Sequence, residues 1–200
     1  MRQALLIFVK NAVEGKVKTR LAATLGNNVA LKVYSQLLEH TKKCTQLLSA
    51  DKMIFYSEYL EDDDSWNIDV YHKEVQRGNN LGERMENAFE YAFAQGNDQV
   101  AIIGSDCFEI SSEIIENAFA QLEHCEVVLG PALDGGYYLL GTKSLYRELF
   151  CNISWSTDQV LKQTMKACTK LGLKITTLKE LSDIDNEADL KRTGYKIENY

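Results

Sequence analysis

The sequence predicts an α/β protein: one domain over 1–200, a three-layer α/β/α sandwich with a mostly parallel mixed sheet. Three observations carry this expectation. The 200 residues amount to about one domain, with no internal repeat, no Gly-, Ser- or Pro-rich linker, and a single proline, Pro131. Apolar runs at 4–9, 100–103 and 127–129 lack polar alternation, as strands covered on both faces should. Between them apolar residues recur with helical period, so strands alternate with helices and parallel neighbours are joined by right-handed crossovers.

Each element follows in order. The strand at 4–9 is succeeded by a basic loop that runs into helical Arg20-Leu21-Ala22-Ala23. Ala30, Val33, Tyr34, Leu37, Thr41, Cys44 and Leu48 form one helical stripe, after which strands are expected at 52–56 and 70–74. Leu81, Met85, Ala88, Phe89, Ala92 and Phe93 stripe a second helix ahead of the strand at 100–103. Ile114, Ile115, Ala118, Phe119 and Leu122 stripe a third ahead of 127–129. A strand at 137–141 precedes a helix over 157–171, for which Ser156-x-x-Gln159 offers a capping box. A short strand at 174–178 then leads into the turn Ser182-Asp183-Ile184-Asp185.

Composition narrows the function. Twenty-two Lys and Arg against 29 Asp and Glu leave a net charge of −7, which repels nucleic acid and anionic membranes, so neither is expected as a partner. The longest early apolar run is six residues, far short of the ~20 of a membrane span, and a cytoplasmic protein is expected. Five cysteines without C-x-x-C spacing argue against a zinc knuckle or a disulfide framework. The three histidines, His40, His72 and His124, are scattered and form no ligand set.

In parallel sheets, ligands bind beyond the carboxyl ends of the strands. After the first strand, 10–20 holds Lys10, Lys16, Lys18 and Arg20 in an acidic protein, a polyphosphate cradle or, more plainly, a solvated basic loop. It has neither G-x-G-x-x-G nor G-x-x-x-x-G-K-[ST], and no Asp-x-Asp follows the strand. After 100–103 comes Gly104-Ser105-Asp106-Cys107, and after 127–129 comes Gly130-Pro131-Ala132-Leu133-Asp134-Gly135-Gly136-Tyr137-Tyr138. Asp106, Asp134, Asp183 and Asp185 thus fall at strand ends. Singly each is as well explained as a turn or helix cap, but together they fit a hard cation such as Mg²⁺ or Mn²⁺ shared with phosphates. Gly135 and Gly136 permit close approach of a ligand, and one of Tyr137 and Tyr138 is expected to face it. The acids at 61–64 read as a solvated loop. The serine of Gly104-Ser105-Asp106 lies outside any G-x-S-x-G, so a serine hydrolase is not supported.

Phe8-Val9-Lys10-Asn11, Gly15-Lys16-Val17-Lys18-Thr19-Arg20-Leu21-Ala22, Gln76-x-Gly78-x-x-Leu81-Gly82-Glu83-Arg84-Met85 and Gly104-Ser105-Asp106-Cys107 resemble the domain-of-unknown-function 2064 family. The resemblance continues through the Asp134-Gly135-Gly136-Tyr137-Tyr138 block, Trp155-Ser156-Thr157 and Asp183-Ile184-Asp185, nearly the whole chain in order. It implies the nucleotide-diphospho-sugar transferase (GT-A) fold, and the family is also similar to small nucleotidyltransferases. Carried over, it implies that Lys10, Lys18 and Arg20 face nucleotide phosphates and that Gln76, Gly82 and Arg84 help form the nucleotide pocket. Asp106 becomes the metal-binding aspartate, Asp183 and Asp185 complete the acidic cluster, and Asp134 lies beside the transferred group. Gly135, Gly136, Tyr137 and Trp155 are then expected to contact substrate. The chain departs from the family pattern with Ala12 and Phe108 where prolines are usual, and with Asp185-Asn186-Glu187-Ala188-Asp189 near the end. No charged group is lost.

The expected function is a metal-dependent glycosyltransferase acting from a nucleoside-diphosphate sugar to a small-molecule acceptor. The alternative is a nucleotidyltransferase that moves a nucleoside monophosphate from a triphosphate to a phosphorylated small molecule. The loop after the first strand holds one glycine, Gly15, where common nucleotidyltransferases have a longer Gly-rich loop. A third class, a nucleotide-sugar binding protein without turnover, would bind without metal and form no product. No apolar stripe outside the core marks an oligomer interface.

Overall fold

The computed structural model describes residues 1–197. Seven strands, β1 (Gln3–Val9), β2 (Asp51–Tyr56), β3 (Tyr71–Val75), β4 (Gln99–Gly104), β5 (Val127–Pro131), β6 (Tyr137–Thr142) and β7 (Ile175–Thr177), form one sheet in the order β3-β2-β1-β4-β6-β5-β7. Six of them run in one direction; β6 alone is antiparallel to both of its neighbours. The cause is local. Five residues, 132–136, separate β5 from β6, enough for a hairpin and too few for a crossover.

The helices are α1 (Thr19–Leu25), α2 (Asn27–Thr45), α3 (Leu81–Ala94), α4 (Ser112–Leu122), α5 (Val160–Lys170) and α6 (Glu187–Thr193), with one 3₁₀ turn at Arg147–Leu149. Alternation along β1 splits the core. Leu5, Ile7 and Val9 join Ile115, Phe119 and Leu122 of α4 on one face, while Ala4 and Leu6 join Met85, Ala88 and Phe89 of α3 and Cys168 of α5 on the other. A third cluster joins Leu21 of α1, Ala30, Val33 and Leu37 of α2, and Leu190 of α6 to Ile184. The three-layer sandwich is therefore the one the sequence predicts.

Two local expectations are corrected. The helix expected from 157 begins at Val160, and Ser156 does not cap it: Ser156 has φ 63° and the cap position, Gln159, makes no side-chain cap bond. The residues before it instead form a turn in which Thr157 Oγ1 donates to the Ser154 carbonyl at 2.7 Å. The sequence pattern also gave no helix at α6, which forms through a capping box between Asn186 and Asp189.

Candidate active site

One cleft of about 600 Å³ opens at the carboxyl ends of β1, β4 and β5. Its wall includes Lys10, Lys18 and Arg20 from the β1–α1 segment, Asp106 after β4, Asp134 and Gly136 from the β5–β6 turn, and Asp183 and Asp185 from the chain before α6. Tyr137, Trp155 and Asp158 complete the charged and aromatic part, with Phe8, Leu81 and Met85 on an apolar side.

The terminal segment is tied to the strand ends by backbone bonds. Ile184 N–H donates to the Asp106 carbonyl at 2.9 Å, Cys107 and Asp183 form an antiparallel bridge, and Leu133 N–H donates to the Leu181 carbonyl at 3.0 Å. These contacts bring Asp183 and Asp185 beside Asp106 from about 80 residues away in sequence. Asp189 fixes the far side. Its Oδ2 accepts from Asp185 N–H at 2.9 Å and from Asn186 N–H at 3.0 Å, while its Oδ1 accepts from Arg192 at 2.6 Å.

Lys18 is the buried cation of the site. Its Nζ lies 2.8 Å from Asp106 Oδ1 and 3.2 Å from Asp185 Oδ1, with its side chain 3% exposed. Burial on its own lowers the pKa, but the two carboxylates outweigh it and hold the ammonium above the usual lysine value. Lys18 also takes the left-handed backbone region (φ 48°, ψ 45°) at the N-cap of α1, a strained choice for a residue with a Cβ. Lys10 and Arg20 are exposed on the same wall. Burial first, and then the like charge of Asp106, push the Asp183 carboxyl up to about 7, with Lys18 pulling against them.

Tyr34, placed by the sequence in a core stripe, has a second task. Its hydroxyl accepts from Lys10 N–H at 2.7 Å, donates to the Lys10 carbonyl at 3.1 Å, and meets Ser105 Oγ at 3.3 Å. It thereby pins the exits of β1 and β4 together at the cleft floor. A tyrosine at a buried helix position needs a partner for its hydroxyl, and that need is the one sign of this task in the sequence.

Asp134 is both a turn cap and a cleft residue. Its Oδ1 accepts from Gly136 N–H at 2.9 Å. Gly135 stands behind the wall, at φ 87°, where a Cβ would collide with the backbone of Asp158. Both tyrosines of the pair border the cleft: Tyr137 is partly exposed with its hydroxyl toward Met85 Sδ at 4.0 Å, and the buried Tyr138 lies over Gly130 and donates to the Lys179 carbonyl at 3.0 Å.

Gln76, Gly82 and Arg84 are not on the cleft wall. The Gln76 amide donates to the Val9 carbonyl at 3.3 Å and the Phe55 carbonyl at 3.0 Å, closing the ends of β1 and β2. Arg84 Nε donates to the Gly78 carbonyl at 3.1 Å and Nη1 to Gln76 Oε1 at 3.4 Å. Gly82 makes room for Trp155: a Cβ there would run into the indole Nε1 and come within 2.7 Å of the Phe150 carbonyl.

Among the described residues no three His, Cys, Asp or Glu side chains gather closely enough to cage a metal ion. The donor set does fit a hard cation that arrives with its own phosphate ligands, since Mg²⁺ needs only one or two protein carboxylates. Asp106 is suited to such a role: its side chain is 35% exposed at the cleft, with the buried Oδ1 held by the Lys18 ammonium as charge partner.

The profile of a family described as uncharacterized proteins conserved in bacteria, DUF2064, matches residues 40–157. The chain belongs to this family. A crystal structure from Desulfovibrio desulfuricans G20, of a candidate nucleotide-diphospho-sugar transferase, is similar over 100% of the chain and 89% of its own length, at 32% identity and TM-score 0.90. The inositol-1-phosphate CTP transferase of T. maritima shares the fold at TM-score 0.59 and 15% identity, over 98% of this chain and 94% of that one. So does glucosyl-3-phosphoglycerate synthase of Mycobacterium tuberculosis, solved with Mg²⁺ and uridine diphosphate, at TM-score 0.52 and 12% identity, over 91% and 70%. No curated protein matches the chain in sequence. This DUF2064 protein thus has the fold of nucleotide-diphospho-sugar transferases, and none of its described helices is long and apolar enough to cross a membrane.

Proposed function

We propose that the cleft is the donor site of a nucleotide-dependent transferase, with glycosyl transfer from a nucleoside-diphosphate sugar as the reaction. One observation carries the reading: Lys10, Lys18 and Arg20 share a single strand-end cleft with Asp106, Asp134, Asp183 and Asp185. The cations suit a polyphosphate, and the acids would repel one unless a divalent ion came with it. We assign Mg²⁺ or Mn²⁺ to that role, held by Asp106 with help from Asp183 or Asp185. When bound, the ion supplies positive charge to the departing diphosphate.

The chain's own residues account for the rest. Lys10 and Arg20, exposed at the mouth, meet the phosphates, Arg20 with a planar fork suited to two oxygens. Tyr34 holds the Lys10 backbone at the floor. The bond from the sugar's anomeric carbon to the diphosphate oxygen breaks, the acceptor hydroxyl oxygen bonds to that carbon, and its proton passes to the free oxygen of Asp134. Tyr137 and Trp155 face the sugar or acceptor, with Gly136 on the wall allowing its approach and Gly135 letting the turn pack on Asp158 behind it. Gln76, Gly82 and Arg84 support the nucleotide side from behind the wall.

Nucleotidyl transfer is the second reading. Its specific support is the trio of cations on one segment, which matches a triphosphate as well as a diphosphate, with pyrophosphate leaving. The single Gly15 in that segment favours the glycosyl reading. Mass-spectrometric product analysis tests both: a nucleoside diphosphate with a glycosylated acceptor supports the first, and pyrophosphate supports the second. Binding with no product under any metal condition would overturn both in favour of a carrier. Asp106→Asn is expected to lower turnover by about 10²–10³-fold, the cost of removing one charge-stabilising group.

A further inference from the structure

The inference concerns Lys18 and rests on the reading of the cleft as a polyphosphate site. Lys18 is the one lysine or arginine in the buried class among the described residues. Its ammonium sits at contact distance from carboxylates on two different segments, Asp106 at 2.8 Å and Asp185 at 3.2 Å. Those side chains are 35% and 40% exposed against 3% for Lys18, so the carboxylates present far more surface to the cleft than the ammonium lying against both. The loop pays for this placement with a left-handed backbone at Lys18, as strained residues at functional sites commonly show. Asp106 Oδ1 is buried and has the Lys18 ammonium, 2.8 Å away, as its charge partner, so the position Lys18 fills is one that a cation is needed to occupy. Lys10 and Arg20, exposed on the same wall, show no such arrangement.

We propose that Lys18 is a built-in counter-ion, occupying the cation position between Asp106 and Asp185 until a nucleotide's phosphates draw it away. A divalent ion alone therefore does not settle on these carboxylates, and metal and nucleotide enter together. A merely structural ion pair would leave metal uptake unchanged when Lys18 is replaced.

The test is a titration with Mn²⁺ alone, without nucleotide, following the free-ion electron paramagnetic resonance signal in wild type, Lys18→Met and Lys18→Arg. Wild type and Lys18→Arg are expected to leave the signal of free Mn²⁺ unattenuated. Lys18→Met is expected to take up one Mn²⁺ at least about tenfold more tightly, two carboxylates having lost an adjacent positive charge. Equal uptake by wild type and Lys18→Met, whether both bind or neither does, overturns the proposal. Should Lys18→Met fail to fold by circular dichroism, Lys18→Gln takes its place, and tight one-to-one binding by wild type alone is already contradictory. Because no nucleotide is present, failure here leaves the reading of the cleft standing, whereas failure of nucleotide binding removes that reading without altering the Mn²⁺ result.

Discussion

Asp189 Oδ2 accepts the backbone N–H of Asp185 at 2.9 Å, so the cap of the last helix and the position of a cleft carboxylate are set by one side chain. Asp189→Ala removes that bond, the bond from Asn186 N–H and the partner of Arg192. It is expected to cost about 1 kcal/mol, as cap losses do, in a urea unfolding curve. Ligand binding should weaken as well, because Asp185 loses its fixed approach to Lys18. Unchanged binding with lowered stability would show that the cap supports the helix alone.

Gly82→Ala tests the wall formed by Trp155. The added methyl meets the indole and the Phe150 carbonyl, and backbone cannot yield as a flexible side chain does. Overpacking of this kind costs about 1–3 kcal/mol. Thermal unfolding reads the loss, and a shifted tryptophan emission maximum would report that Trp155 has moved.

Asp183 gives a pH dependence. Its folded value of about 7 lies above the ~3.9 of a free aspartate, so between these values the native state holds a proton that the unfolded state has lost. Stability conferred by that proton is complete below about 4 and is lost as pH rises through about 7. Asp183→Asn, which cannot ionise, should therefore unfold at nearly the wild-type temperature at pH 4 and at a higher one at pH 8, in chelator and without ligand. A wild type more stable than the variant at pH 8 would reverse the sign.

Tyr34→Phe isolates the floor of the cleft. The ring stays and the bonds to Lys10 and Ser105 go, for an expected cost of about 1 kcal/mol. A transferase whose Lys10 is thereby released should show a raised KM for the donor with kcat less affected. Equal losses in both would place Tyr34 in the chemical step.

The fold was legible because buried strands are continuous apolar runs, and β1, β4 and β5 bury nearly every residue. Strand-end logic likewise led to Asp106, Asp134, Asp183 and Asp185, all of which reach one cleft. What it did not reach has physical reasons. Helix α6 buries only Asp189 and Leu190, so it has no stripe to read, and its sign is the Asn186-x-x-Asp189 box. Tyr34 looked like any core residue, because a buried hydroxyl's partner comes from another element. Gln76 and Gly82 make internal contacts, to the ends of β1 and β2 and beneath Trp155, and a residue pattern cannot tell such a contact from one to a ligand.

The most direct measurement is a thermal-shift panel of nucleoside diphosphate sugars and nucleoside triphosphates, each with and without Mg²⁺ or Mn²⁺, on wild type and a Lys10→Ala, Arg20→Ala double variant. At 100 times its Kd a ligand adds about 2.7 kcal/mol of stability. For a domain of this size that is a rise in Tm of about 5–10 °C. The account predicts such a rise in wild type, dependent on the divalent ion and largely lost in the double variant. No shift with any diphosphate or triphosphate ligand, or an equal shift in the variant, would contradict it.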